Sequence, residues 1–169
     1  MHLYKADKNY IDYLSSKDSK VMDNKDPLIR PYWFFEIELD NHRFAVPLSS
    51  PKEASRTSFN QFSMIRVKEN SEDFGRLYFI NMIPFDERLF TSIDKLKQQY
   101  DRKYESLLYK QSNELMKQIT TIQNRARNVF NARYDTKHKK HNMLVANSCN
   151  FKKCIEYMNE YLSKINEIK

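Results

Sequence analysis

Glycine is nearly missing: of 169 residues, Gly75 is the only one. A Walker loop, a GxGxxG turn and a nucleophile elbow each need glycine where backbone approaches phosphate or turns sharply. Nucleoside-triphosphate hydrolysis, dinucleotide redox chemistry and α/β-hydrolase chemistry are therefore disfavoured. Cysteine is scarce as well. Cys149 and Cys154 have no second pair to complete a zinc site, which points to reduced core or surface thiols. The four histidines make no ligand set with carboxylates at metal spacing, so neither a metal nor another cofactor is expected. Long apolar runs are lacking too. No stretch approaches the ~18 apolar residues of a membrane span, and the opening MHLYKADKNY has no apolar leader core. A soluble, cytoplasmic protein is the expectation.

What the chain has is positive charge and aromatic rings. Lys and Arg number 29 against 22 Asp and Glu, a net +7, with 11 Tyr and 11 Phe. Neutralising phosphates releases counterions and supplies affinity without sequence demands, so this balance favours a polyanionic partner. The length suits one domain, residues 1–169, with a genuine core.

The periodicity divides the chain in two. His2–Lys5 reads as a short strand, and Asp7 as the N-cap of a helix over Lys8–Ser16 with Tyr10, Ile11 and Leu14 on one face. The polar segment Lys17–Pro31 reads as a loop. Two β-rich runs, Tyr32–Leu39 and His42–Leu48, flank Asp40-Asn41, a pair tolerant of positive φ, and predict a hairpin. Alternation puts Phe35, Ile37 and Leu39 on one face and Phe34, Glu36 and Glu38 on the other. Runs over Phe62–Lys68 and Arg76–Ile83 follow, separated by the turn-forming ENSEDFG. From Ile93 to Phe130 the apolar residues step by threes and fours, one helical stripe with a break expected near Asp101–Lys103. KHKKH at 137–141 reads as a basic loop, and Asn150 as the cap of a last helix facing Phe151, Ile155, Met158, Leu162 and Ile165 to the core. The fold class is α+β: an antiparallel sheet covered by helices, with long helices in the C-terminal half.

One short stretch carries chemistry. PLSSPK at 47–52 places Ser49, Ser50 and Lys52 directly after a strand, with Pro47 and Pro51 fixing φ on either side. Two hydroxyls and one cation there suit a single phosphate, the lysine offsetting charge and the serines orienting oxygens. The plain alternative is a strand-ending turn, where Ser and Pro are common. Pairing around Asp40-Asn41 sets residue 32 across from residue 49, which brings Arg30 and Tyr32 beside the serines. Lys52, Arg56, Lys110, Lys117, Arg125, Arg127, Arg133 and KHKKH compose a candidate basic groove, and the aromatics offer stacking platforms for unpaired bases. The plain alternatives are solvated helix faces and core rings. Asp86-Glu87 is a weak candidate base and reads better as an exposed loop pair.

These motifs, taken in order, resemble the ToxN/AbiQ family of endoribonuclease toxins from type III toxin–antitoxin and phage abortive-infection systems. NYIDYL (9–14), KV (20–21), PLSSPK (47–52), INMIPF (80–85) and LLYKQ (107–111) carry the resemblance, which runs from about Tyr4 to Phe130. It implies a strongly twisted antiparallel sheet similar to the MazF/Kid/CcdB toxin barrel. It implies metal-independent RNA cleavage, the substrate 2′-OH attacking phosphorus to leave a 2′,3′-cyclic phosphate and a 5′-OH. The implied partner is a repeated, pseudoknotted antitoxin RNA that the toxin cuts from a longer transcript and that blocks it in a closed, triangular protein–RNA assembly. The family's hydroxyl-Ser-Pro-Lys core falls on Ser49, Ser50, Pro51 and Lys52, the catalytic set, with Ser49 where relatives carry threonine. Tyr32 stands where relatives carry a lysine, a departure that leaves the second catalytic cation open, with Arg30 the candidate substitute. Arg30, Tyr32, Tyr10, Arg56, Lys110, Lys117 and Arg125 are the RNA-contacting candidates.

Two competing readings stand beside the nuclease: a non-catalytic RNA-binding module using the same basic groove, and a protein-interaction domain whose charge is incidental. Salt-sensitive binding without cleavage marks the first. Salt-independent partner binding marks the second.

Overall fold

The computed structural model describes residues 3–22, 33–39, 41–50, 60–96 and 100–167. Among these residues seven strands form one sheet: β1 (Leu3–Ala6), β2 (Trp33–Leu39), β3 (His42–Leu48), β4 (Met64–Glu69), β5 (Glu72–Tyr78), β6 (Ile83–Pro84) and β7 (Phe90–Ser92). Their order is β4-β5-β3-β2-β1-β7, with β6 beside β3, and every described pairing is antiparallel. Five α-helices are described: α1 (Lys8–Lys17), α2 (Arg102–Lys117), α3 (Ile119–Tyr134), α4 (His141–Asn147) and α5 (Phe151–Glu167). This is the expected α+β architecture.

The β2–β3 hairpin is central because both its faces are covered. Trp33, Phe35, Ile37 and Leu39 share a face with Phe44, Val46 and Leu48, and all but the turn end of that face is buried. Phe44 meets Phe130 of α3 at 5.8 Å and Phe151 of α5 at 6.4 Å. On the opposite face Phe34 packs edge-on against Phe90 at 5.7 Å, and Phe90 stacks on Phe85 at 4.6 Å. Burial on both sides explains why WFF and FAVPL are nearly continuous apolar runs rather than alternating ones. Asn41 takes φ 66°, and the hairpin keeps the register that a pivot at Asp40-Asn41 sets, from Trp33–Leu48 to Leu39–His42.

Three local expectations need correction. The turn in ENSEDFG is only Asn70-Ser71, with Asn70 at φ 51°; Asp73, Phe74 and Gly75 belong to β5. The polar letters of that stretch are an edge hairpin's exposed residues, not a longer loop. The break expected near Asp101–Lys103 is present, but it is not the only interruption of the helical stripe among the described residues. Asp101 caps the start of α2, its carboxylate accepting from the Tyr104 N–H at 2.9 Å, and a second interruption at Gln118 separates α2 from α3. Finally, the basic turn is followed by α4, a short helix the pattern did not reveal.

The remaining caps are as expected. Asp7 accepts from the Tyr10 N–H at 3.1 Å and Asn150 from the Lys153 N–H at 3.3 Å, each satisfying a helix-start donor. Both cysteines are buried free thiols. Among the described residues no helix is long and apolar enough to cross a membrane.

Candidate active site

β3 ends at Leu48, and Ser49 is where the strand lets go of the sheet. Its N–H still donates to the Arg76 carbonyl of β5 at 2.9 Å, as in an ordinary antiparallel pair. The return bond is different: the Arg76 N–H donates to Ser49 Oγ at 3.1 Å. The hydroxyl takes the place of a backbone acceptor, and the Ser49 carbonyl turns onto Gly75. A Cβ built on Gly75 would lie 2.1 Å from that oxygen. The only glycine of the chain therefore stands where another backbone leaves no room for a side chain, and its φ of +127° is one that side chains resist.

Neighbouring groups fix this corner. The Asp73 carboxylate accepts from the Gly75 N–H at 2.8 Å, and the Gln111 side-chain amide of α2 donates to the Phe74 carbonyl. On the far side of the strand end, Trp33 Nε1 donates to the Tyr104 hydroxyl at 2.9 Å, tying β2 to α2. Ser49 is buried, 6% exposed, while Ser50 is half-buried. Arg76, bonded to Ser49, lies directly across β4–β5 from Arg66, so the two side chains share a sheet face, with Arg66 one strand further from the serines; Arg76 is 6% exposed and Arg66 open to solvent.

The sequence-derived site is partly assembled. Lys52, Arg56, Arg30 and Tyr32 lie outside the described residues. Lys110, adjacent to Gln111, comes near the corner; it pairs with Glu72 at 3.3 Å and sits 5.4 Å from the Phe74 ring. Lys117 is shared between Glu69, at 3.6 Å, and Glu114, which raise its pKa; the hydrogen bond it donates to Glu114 is the largest cause. A groove of about 710 Å³ beside α2 is lined by both lysines, both of these glutamates, Tyr109 and Met116, so it is mixed in charge rather than basic. Arg125 reaches back to β4, its guanidinium donating to the Met64 carbonyl at 3.2 Å. His138, in the basic turn, lies with its ring 5.7 Å from that of Phe62.

Two candidates are corrected by their burial. Tyr10 is fully buried, and its hydroxyl donates to the Pro84 carbonyl at 2.9 Å, so it belongs to the core and does not reach an RNA on the surface. Burial pushes its phenol well above the ordinary tyrosine value. Arg133 is 8% exposed and donates to the Cys149 carbonyl at 2.9 Å, which removes it from the basic groove. Asp86 and Glu87 are spoken for by cations: Arg88 holds the Asp86 carboxyl below its ordinary pKa, and Glu87 pairs with Arg43 at 2.8 Å.

Sequence reasoning missed Asp73, Gly75, Arg76, Arg66 and Gln111. Their signal was present in part. A lone glycine in a glycine-poor chain marks a close backbone approach, and Gln111 ends the LLYKQ motif.

The chain has clear relatives. Residues 2–159 match the family model described as toxin ToxN, type III toxin–antitoxin system. Endoribonuclease ToxN of Bacillus thuringiensis subsp. kurstaki is 32% identical over 158 residues, 90% of this chain and 79% of the relative. Endoribonuclease ToxN of Pectobacterium atrosepticum is 32% identical over 118 residues, 66% of this chain and 68% of that one. Among solved structures, a type III toxin described as selectively inhibited by a non-coding RNA pseudoknot superposes with a TM-score of 0.79 at 29% identity, covering 94% of this chain and 96% of the other. A component of a bacterial antiviral system regulated by a processed non-coding RNA follows at 0.74 and 26%, covering 94% and 98%. The lactococcal anti-phage endoribonuclease AbiQ shares the fold at 0.72 and 18%, covering 96% and 98%.

Proposed function

From the premise that this chain belongs to the ToxN toxin family of type III toxin–antitoxin systems and is an endoribonuclease, we propose that it cuts RNA at the end of β3, without a metal, by using the substrate's own ribose. The 2′-oxygen attacks the adjacent phosphorus, the 5′-oxygen leaves, and the products are a 2′,3′-cyclic phosphate and a 5′-hydroxyl. Ser50 donates to a non-bridging oxygen as charge builds on the phosphorane, and Lys52 offsets that charge. Ser49 holds the corner from which Ser50 is presented. Arg30, Arg56 and Arg66 extend the positive surface along the RNA backbone, Tyr32 offers a ring and a hydroxyl beside it, and Lys110 and Arg125 flank it.

The observation that carries this reading is the bonding of Ser49 to Arg76. A strand end held by both its N–H and its hydroxyl is a rigid platform beside two arginines, which is what phosphate chemistry without a covalent nucleophile requires. The RNA pseudoknot and processed non-coding RNA of the similar structures support the partner side of this reading: in it, the toxin acts in the cytoplasm, trims a repeated pseudoknotted antitoxin RNA from its transcript, and is blocked by it in a closed, triangular assembly.

The test is cleavage of bulk RNA by the RNA-free protein in the presence of EDTA, with the ends of the products identified. Cyclic phosphate and 5′-hydroxyl ends are expected, and a 2′-deoxy substitution at a mapped cleavage site should block the cut. Ser50→Ala is expected to slow cleavage by about 10²–10³-fold. Wild-type rates in Ser50→Ala, or loss of all activity in EDTA, would refute the mechanism.

A further inference from the structure

We infer that Gln111 and Asp73 are positioning residues for the cleavage reaction, clamping the Phe74–Gly75 peptide that aims Ser50. The inference rests on the site reading above. The carbonyl that presses on Gly75 belongs to the peptide joining Ser49 to Ser50, so its direction decides how Ser50 leaves the strand. Gly75 itself has no side chain to hold its conformation, and glycine is the residue with most backbone freedom to lose. Its conformation is held from outside. The Asp73 carboxylate takes the Gly75 N–H at 2.8 Å, and the Gln111 amide takes the carbonyl of the preceding residue, Phe74. The peptide between Phe74 and Gly75 is thus bonded at both its polar ends by side chains.

Neither residue is suited to touch the substrate. Gln111 is 3% exposed on the inner side of α2, with Nε2 only 3.5 Å from where a Gly75 Cβ would stand. Asp73 carries a charge of the wrong sign for phosphate. Each acts through the corner. A buried amide on a helix would otherwise leave polar atoms to satisfy in an apolar core, and the Phe74 carbonyl gives it that partner. Rates fall steeply when a reacting group is misplaced by about 1 Å, so loosening this peptide should reduce turnover while leaving RNA binding, spread over many phosphates, intact.

The experiment uses a synthetic RNA carrying a cleavage site mapped from the wild-type digest, with Gln111→Met, Asp73→Ala and each combined with Ser50→Ala. Gln111→Met is expected to lower kcat by about tenfold to a hundredfold with KM unchanged within about twofold. In the Ser50→Ala background the same substitution should add no further loss, because the group it aims is gone. Unchanged kcat in folded Gln111→Met, or losses that multiply in the double variant while Ser50→Ala is itself impaired, would overturn this inference alone. Full activity in Ser50→Ala would remove the site reading, and this inference with it. If Gln111→Met does not fold at the assay temperature, Asp73→Ala decides: it lies on the surface, and the same kcat loss absorbed by Ser50→Ala supports the clamp, whereas wild-type kcat overturns it.

Discussion

At the scale of single residues, the Ser49 hydroxyl does work usually done by backbone. Ser49→Ala leaves the buried Arg76 N–H without its acceptor and should cost about 1–3 kcal/mol in urea unfolding. Ser49→Thr keeps the oxygen and should recover most of it. Gly75→Ala must combine an unfavourable φ with a 2.1 Å collision against backbone, and at least about 3 kcal/mol of destabilisation is expected. Tyr10→Phe checks the reassignment of that ring to the core. Loss of its bond to the Pro84 carbonyl should lower stability by about 1 kcal/mol while kcat/KM for RNA stays within about twofold; a large fall in kcat/KM would return Tyr10 to the site. The pair Ser49–Ser50 was legible in the sequence because prolines bracket it. Arg76 was not, since an arginine in an outer hairpin reads as solvated, and nothing local reveals that its strand pairs with β3 or that it is buried there.

At the scale of elements, the central hairpin was the most legible part. Asp40-Asn41 fixes a register, and a register fixes every opposed pair from Trp33–Leu48 to Leu39–His42. Helix limits were less legible where no glycine or proline marks them. Gln118 interrupts a continuous apolar stripe, and only packing against different strands distinguishes α2, on β4 and β5, from α3, on β2. Lys110 and Lys117 looked like groove cations because their partners Glu72 and Glu69 come from the β4–β5 hairpin, far away in sequence. The first strand adds a pH dependence. Burial, and then a hydrogen bond shared with Glu36, pushes the Tyr4 phenol up to about 12; Tyr10, Tyr100 and Tyr134 also shift upward, mainly by burial. The folded chain therefore keeps protons that the unfolded chain releases near pH 10. Stability should be whole below about pH 10 and fall as pH rises from about 10 towards 12. Tyr4→Phe should make the urea midpoint less steep over that interval, and an unaltered slope would count against the Tyr4 contribution.

At the scale of the whole molecule, a net charge of +7 and an arginine pair at the strand end predict salt-dependent association with RNA. The logarithm of the RNA association constant should fall linearly with the logarithm of salt concentration, at about −0.7 per phosphate neutralised. Arg66→Ala should reduce that slope by about one such increment, whereas Lys117→Ala, whose charge is already shared by Glu69 and Glu114, should leave it nearly unchanged. Equal effects of the two substitutions would place the RNA along α2 instead of the sheet face.

The seat of Gly75 also decides where this chain can change length. Residues inserted at the Asn70-Ser71 tip would only enlarge a surface loop. A single residue inserted between Glu72 and Gly75 would invert the facing of the following strand, bringing a side chain under the Ser49 carbonyl and moving Arg76 into the place of Leu77. Tolerated insertions in this hairpin should therefore gather at its tip.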